Sequence, residues 1–215
     1  TNSDDNTTRI WSVATGATLV TLVGHTGDVY WSEFSSDGSK IVTGSDDGTA
    51  RIWDASTGQL LRTLNGHTTT VTHVAYHPDG SEVASSSDDG TVRIWNASTG
   101  ELKDVLYGHT NGVHSVAYSR DGSMLVTASR DFTVKVWRKT GSWGLKRTLV
   151  GHTGMVNSAE FSRNGRLIVS AGRDNTARVW DAVSGELKQT YSQYTTWLWH
   201  ASFSPDGNQI VTADR

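Results

Sequence analysis

The stretch Gly66-His67 … Pro78-Asp79-Gly80 … Ser87-Asp88-Asp89-Gly90-Thr91-Val92-Arg93-Ile94-Trp95 decides how the chain is read, because its markers return along the whole sequence. Trp11, Trp53, Trp95, Trp137 and Trp180 stand 42, 42, 42 and 43 residues apart. Gly24-His25, Gly66-His67, Gly108-His109 and Gly151-His152 keep the same spacings. A turn dipeptide recurs at Asp37-Gly38, Asp79-Gly80, Asp121-Gly122, Asn164-Gly165 and Asp206-Gly207. One extra residue falls in the segment Lys139-Thr140-Gly141-Ser142-Trp143-Gly144. Three independent markers on one period make the chain a fivefold internal repeat.

Within one period the pattern alternates strand and turn. Val29 to Phe34 reads as a strand ending at Asp37-Gly38, and Lys40 to Gly44 as a second, stopped by Asp46-Asp47-Gly48. Thr49 to Trp53 alternates small or polar with apolar residues, as a half-buried strand does. Ser56-Thr57-Gly58 turns the chain into a fourth strand, Leu60 to Leu64. Asp-Gly and Asn-Gly favour hairpins because these residues tolerate positive φ. Four strands in such a span make one small antiparallel sheet, which cannot bury both faces without stacked neighbours.

Composition agrees. Of 215 residues, 35% are hydrophobic, 22 are Gly, nine are Trp and two are Pro, which favours short strands and tight turns over helices. Cys is absent, which removes disulfides and thiolate metal sites and fits a reducing compartment. The net charge of −3 lacks the basic excess of a dedicated nucleic-acid binder. No run of 18 apolar residues is present, and Thr1-Asn2-Ser3-Asp4-Asp5 does not read as a secretory signal. The expectations are therefore a cytoplasmic protein with no nucleic-acid partner and no membrane partner.

The quoted segment closely resembles the WD-repeat family, and the resemblance covers the whole chain. Trp53-Asp54 and Trp180-Asp181 keep the eponymous dipeptide, while Ser12, Asn96 and Arg138 depart from it. The resemblance implies an all-β fold: a β-propeller of four-stranded antiparallel blades, five WD repeats in a single domain, 1–215. A composite blade from 1–23 plus 194–215 is expected, although Thr1-Asn2-Ser3-Asp4 and Thr212-Ala213-Asp214-Arg215 align to the same slot. Three forms are open: a closed five-blade ring, an open arc that pairs with other copies through its blade edges, and a piece of a longer propeller.

Each repeat carries a His, a hydroxyl, an Asp and a Trp at fixed offsets: His25, Thr43, Asp47, Trp53; His67, Ser85, Asp89, Trp95; His109, Thr127, Asp131, Trp137; His152, Ser170, Asp174, Trp180. Such a set invites comparison with a hydrolytic triad. Its fourfold recurrence, with Thr in half the hydroxyl places, argues against one unique nucleophile. The family resemblance implies a buried hydrogen-bond chain instead, so no catalytic residue and no cofactor is expected. In the fifth set Tyr194 takes the His place and Thr212 the hydroxyl place, and the counterparts of the remaining two are Asp5 and Trp11.

Family members usually bind on one face, and alignment brings three positions per blade to it. They are Asp28, Tyr30 and Asp46; Thr70, Thr72 and Asp88; Gly112, His114 and Arg130; Met155, Asn157 and Arg173; and Trp197, Trp199 and Asp4. Asp4, Asp28, Asp46 and Asp88 are expected on one arc, flanked by Tyr30, Trp197 and Trp199, and His114, Arg130 and Arg173 on the opposite arc. That pattern suits a protein or peptide ligand with a basic group for one arc and an acidic group for the other. Solvated turn residues are the plainer alternative for the charges. Trp197 and Trp199 are the sharper signal, because two Trp around one buried residue are costly on an idle surface; repacking of the blade that lacks its His is their alternative role.

Lesser signals are weaker. His73 and His77 would lie ~13 Å apart on a strand, too far for one metal ion, so no metal site is expected. Asn6-Thr7-Thr8 and Asn96-Ala97-Ser98 match a glycosylation pattern without a secretory context. Trp143 reads as a local lid on an outer edge, with a lateral contact as the runner-up. The leading function is a protein–protein interaction scaffold. The alternatives are a self-assembling propeller fragment of a larger multidomain sensor or scaffold, and an enzyme using an axial channel, for which Glu33 and Glu160 form a thin set.

Overall fold

The computed structural model describes residues 1–214; Arg215 lies outside the described residues. Among them every regular element is a β-strand. The chain divides into two compact units, Thr1–Val105 and Leu106–Arg215.

In the first unit, β1 (Thr7–Trp11) and β2 (Thr18–Val23) form a two-stranded antiparallel sheet. Four-stranded sheets follow from β3 (Val29–Phe34), β4 (Lys40–Ser45), β5 (Ala50–Asp54) and β6 (Leu60–Leu64), and from β7 (Val71–Tyr76), β8 (Glu82–Ser87), β9 (Val92–Asn96) and β10 (Leu102–Leu106). The strand pattern read from the turns holds: β3 and β6 fall on the expected residues, β4 runs one residue further, and β5 is displaced by one. The second unit repeats the plan. β11 (Val113–Tyr118), β12 (Met124–Ser129), β13 (Thr133–Thr140) and β14 (Ser142–Val150) form one sheet; β15 (Val156–Phe161), β16 (Leu167–Gly172), β17 (Ala177–Asp181) and β18 (Leu187–Tyr191) form the next. β19 (Leu198–Phe203) and β20 (Ile210–Asp214) pair as a two-stranded sheet.

The turns are chemically determined. Asp37 Oδ1 accepts hydrogen bonds from Ser35 Oγ (2.6 Å) and from the Ser39 amide (3.0 Å), while Gly38 takes φ 71°. Asp121 and Asp206 serve their hairpins in the same way, with Asn164 in the fourth place. Each Asx side chain closes a turn that the glycine's left-handed backbone permits.

Sheets stack through apolar faces. In the first unit Val42, Ala50, Ile52 and Leu64 pack against Val71, Val74, Trp95 and Ala97 of the following sheet. In the second, Val126, Val134, Val136 and Leu149 meet Val156, Ala159, Trp180 and Ala182, and Val169, Ala171 and Ala177 meet Leu198 and Ala201. Full burial of a Val or Leu side chain contributes about 1.5–3 kcal/mol. Gly44 shows how close the approach is: a Cβ there would sit 2.9 Å from Val71 Cγ1 and 3.2 Å from the Val71 carbonyl oxygen.

Side chains also stitch one inner strand to the backbone of the next. Glu33 Oε1 accepts from the Tyr76 amide (3.1 Å), Ser115 Oγ from Ala159 (3.1 Å), Ser158 Oγ from Ala201 (3.2 Å) and Glu160 Oε1 from Phe203 (2.8 Å). Glu33 and Glu160, the residues available to an axial-channel enzyme, thus hold neighbouring strands together. The inserted residue lengthens the β13–β14 hairpin, and Trp143 folds down on it, buried, with Tyr118 edge-on at 5.8 Å and the Lys139 ammonium 5.8 Å from its ring. That is the expected lid.

Burial raises the Glu33 carboxyl to about 7 against a lowering hydrogen bond from Tyr76. A raised acid favours the folded state only while protonated. Its contribution is complete below the ordinary value of 4.5 and is lost as pH rises through about 7. Replacing Glu33 with Gln keeps an acceptor and removes the titration. The melting temperature of the native chain should fall relative to E33Q between pH 5 and 7.5; parallel melting curves across that range would refute the assignment.

Candidate functional site

The repeated constellation is a relay. In the β3–β6 sheet, Trp53 Nε1 donates to Thr43 Oγ1 (2.9 Å), the hydroxyl meets His25 Nε2 (2.7 Å), and His25 Nδ1 meets Asp47 Oδ2 (2.8 Å). The same chain runs through Trp95, Ser85, His67 and Asp89, through Trp137, Thr127, His109 and Asp131, and through Trp180, Ser170, His152 and Asp174, with every link between 2.7 and 3.0 Å. Only one set of proton positions satisfies all members. The indole donates to the hydroxyl, the hydroxyl to Nε2, and Nδ1–H to the carboxylate. The four hydroxyl residues are 0% exposed, so a substrate has no approach to them.

The carboxylates extend the relay into two loops. Asp47 Oδ2 also accepts from the Thr26 amide (3.1 Å), and its Oδ1 from the amide and hydroxyl of Thr49 (2.9 and 2.6 Å). Burial opposes ionisation of Asp47, yet the hydrogen bonds from Thr49, His25 and Thr26 outweigh it and hold the acid at about 2. Asp89, Asp131 and Asp174 lie below the usual range through the same competition. Burial depresses His25 and His109 despite the adjacent carboxylates, so both imidazoles are neutral in the relay.

The fifth set is divided. Thr212 Oγ1 donates to Tyr194 Oη (2.9 Å), reproducing the hydroxyl–His link with a phenol. In the first unit Trp11 Nε1 donates to Thr1 Oγ1 (2.9 Å), and Asp5 accepts from the Thr7 amide and from Arg9 (3.1 and 2.7 Å). Trp11 is 44% exposed, in contrast with the buried Trp of the complete sheets.

The aligned face positions share a backbone feature that sequence reading missed. In each inner strand the pairing register skips one residue: between Val29 and Trp31, Val71 and His73, Val113 and Ser115, Val156 and Ser158, and Leu198 and His200. The skipped residues are Tyr30, Thr72, His114, Asn157 and Trp199. A bulge takes a residue out of the ladder and re-aims its side chain, and here each one occupies an aligned face position. The only local signal is the phase slip in apolar alternation that follows Val29 or Val71.

In the first unit the structure brings together Tyr30, Asp4, Asp28, Asp46 and Asp88. Partial burial, and then the charges of Asp46, Asp28, Asp4 and Asp88, raise the Tyr30 phenol. The ring is 51% exposed. The Asp46 amide donates to the Asp28 carbonyl (2.9 Å), and Thr70 Oγ1 donates to Asp46 Oδ1, so the acidic turns are fixed.

In the second unit the basic residues form a connected chain. Arg130 Nε donates to His114 Nε2 (2.6 Å), His114 Nδ1–H donates to Asn157 Oδ1 (3.2 Å), and Arg173 Nε donates to the same oxygen (3.2 Å). Asn157, itself buried, donates through Nδ2 to the Leu198 carbonyl (2.7 Å). The Arg173 guanidinium carbon lies 4.9 Å from the Trp197 ring centroid and 5.3 Å from that of Trp199. The two indoles thus pack on a basic residue, in the arrangement that cation–π attraction favours. Both remain half-exposed, at 39% and 47%.

Each histidine of the His73/His77 pair has a partner of its own: His73 stacks on Trp31 with centroids 4.0 Å apart, and His77 Nδ1 meets Asp79 at 2.6 Å. Among the described residues no group of three or more His, Asp or Glu is placed to hold a metal ion, and no helix is long and apolar enough to cross a membrane.

Comparison with known proteins supports the repeat reading. The family model described as WD domain, G-beta repeat matches residues 16–54, 58–96, 100–138, 143–181 and 185–215. Over 41 residues the chain is 49% identical to the F-box/WD repeat-containing protein sel-10 of Caenorhabditis elegans, a match that spans 19% of this chain and 7% of that protein.

Two outcomes follow for the relay. Ser85→Ala leaves the Trp95 and His67 nitrogens buried without partners, at about 1–3 kcal/mol each. Tyr194→Phe removes one link at a part-buried site and should cost under about 1 kcal/mol; urea midpoints give the comparison. The neutral imidazoles and the ionised Asp47 contribute stability that is complete above 6.5 and 3.8 respectively and is lost as pH falls below those values, Asp47's at about 2. In the E33Q background, where the opposing group is gone, melting temperature should decline steadily as pH drops from 7 through the histidine range.

Proposed function

Because the chain belongs to the WD-repeat family, whose repeat model matches it five times, we propose that it is a protein–protein interaction scaffold that holds protein or peptide partners on the bulged face of its sheets. The observation that carries this reading is the pair Trp197 and Trp199, half-exposed and stacked on Arg173. Large aromatic rings beside an Arg are the residue types that dominate interface energetics. The relays support it too, since they fix the loops on which the face residues stand and reduce the ordering cost of binding.

Each unit then contributes a surface of its own. The Tyr30 surface, with Asp4, Asp28, Asp46 and Asp88, favours a segment bearing Lys or Arg. The surface of His114, Arg130, Arg173, Trp197 and Trp199 favours an acidic one. Charge of one sign speeds encounter with its complement and excludes like-charged partners. The composite blade of 1–23 with 194–215 belongs to this proposal as the arrangement that would cover the edges of β1 and β20, and association of copies through those edges is its alternative.

Peptide display against the native protein tests the reading. Selected peptides should carry basic or acidic residues beside an apolar anchor. Trp199→Ala should weaken the acidic class at least tenfold and leave the thermal transition in place, and Asp46→Lys should weaken only the basic class. Selected peptides that bind all three proteins equally would overturn it.

A further inference from the structure

We propose that Arg173 is a preorganised receptor for a single side-chain carboxylate, and that Asn157 is the residue that positions it. The inference rests on the partner-binding reading above and assigns the chemistry of one contact within it. Three surroundings of Arg173 are occupied. Its Nε donates to Asn157 Oδ1 at 3.2 Å. Its flat surface lies against the Trp197 and Trp199 rings, at 4.9 and 5.3 Å from guanidinium carbon to centroid. What remains is the outer edge, where the two terminal nitrogens stand side by side. Two parallel N–H donors on a planar group match the two coplanar oxygens of a carboxylate.

Asn157 fixes the plane. Its Nδ2 is committed to the Leu198 carbonyl at 2.7 Å, between the two tryptophans in sequence, so its Oδ1 cannot turn away without losing that bond. The same oxygen accepts from His114 Nδ1, and His114 Nε2 accepts from Arg130 Nε. The bulge at Asn157 therefore ties the arginine, the Trp-bearing strand and a second guanidinium, that of Arg130, into one frame. The edge of Arg173 itself offers one planar pair of N–H donors, which a single carboxylate fills. A phosphoryl dianion asks for more donors than one guanidinium edge supplies. Stacking on indole holds the guanidinium where less water competes for its protons, which strengthens an in-plane ion pair.

The test uses blocked peptides from one acidic family selected as above, synthesised with Glu, Gln or phosphoserine at a single position and read by fluorescence polarisation. The native protein should prefer Glu over Gln by tenfold or more and over phosphoserine by a smaller factor. Arg173→Lys keeps the charge but loses the planar pair, so the Glu/Gln ratio should fall to about two or less. Asn157→Leu should lower that ratio likewise. Asn157→Ser, which keeps a short acceptor, should recover part of it. The ratio reports positioning, because loss of folded protein lowers binding of both peptides alike. Equal binding of Glu and Gln peptides by the native protein overturns the carboxylate assignment while leaving the partner face intact, and a preference for phosphoserine overturns it as well. If no peptide binds, the partner-binding reading fails and this inference fails with it.

Discussion

A buried indole N–H must have an acceptor, and the rest of this architecture depends on how that demand is met. In each four-stranded sheet the indole of the third strand finds the hydroxyl of the second. The hydroxyl then needs an acceptor, which the imidazole supplies, and the imidazole N–H needs a carboxylate. The carboxylate comes from the turn that follows the second strand, and it also takes the amide of the residue after the His. One buried requirement thus propagates through four side chains to two loops. A network of this kind is costly when any member is missing and rigid when all are present.

The fold was legible in the sequence because its determinants are local and repeated. Asp-Gly turns, strand alternation and the Trp period each need only a few neighbouring residues. The relay was legible for the same reason: its offsets of 10, 18 and 22 residues stay within one repeat. What escaped were relations between repeats. The Glu33–Tyr76 and Ser158–Ala201 stitches span 43 residues, and no pattern inside one repeat announces them. Trp197 and Trp199 lie against Arg173 of the preceding sheet, a contact that alignment did not indicate. Alignment gives a position on a blade, whereas the side chain it touches is set by register and rotamer. Asn157 was read as a face position, but its role as a link was not, because an amide between Val156 and Ser158 looks like any polar residue in a strand until its three partners are seen.

Two kinds of acid are separated by environment. The relay carboxylates are surrounded by donors, so ionisation is held at low pH despite burial. Glu33 has one backbone donor and a mostly apolar setting, so burial dominates. The first kind is too well satisfied to exchange protons near neutrality, and the second is committed to joining strands β3 and β7.

The bulge near the start of each inner strand separates two tasks that a regular ladder would merge. A residue in register must suit the apolar stacking on one side or the stitch to the next strand on the other. Tyr30, Thr72, His114, Asn157 and Trp199 stand outside that alternation, and five equivalent places accordingly hold five different chemistries: a phenol, an alcohol, an imidazole, an amide and an indole. The scaffold therefore carries a set of interchangeable positions whose content can drift or be selected while the packing alphabet around them stays fixed. Divergence of recognition among duplicated repeats becomes less costly at the exposed places, Tyr30 and Trp199, where a new side chain meets partners before it meets the core.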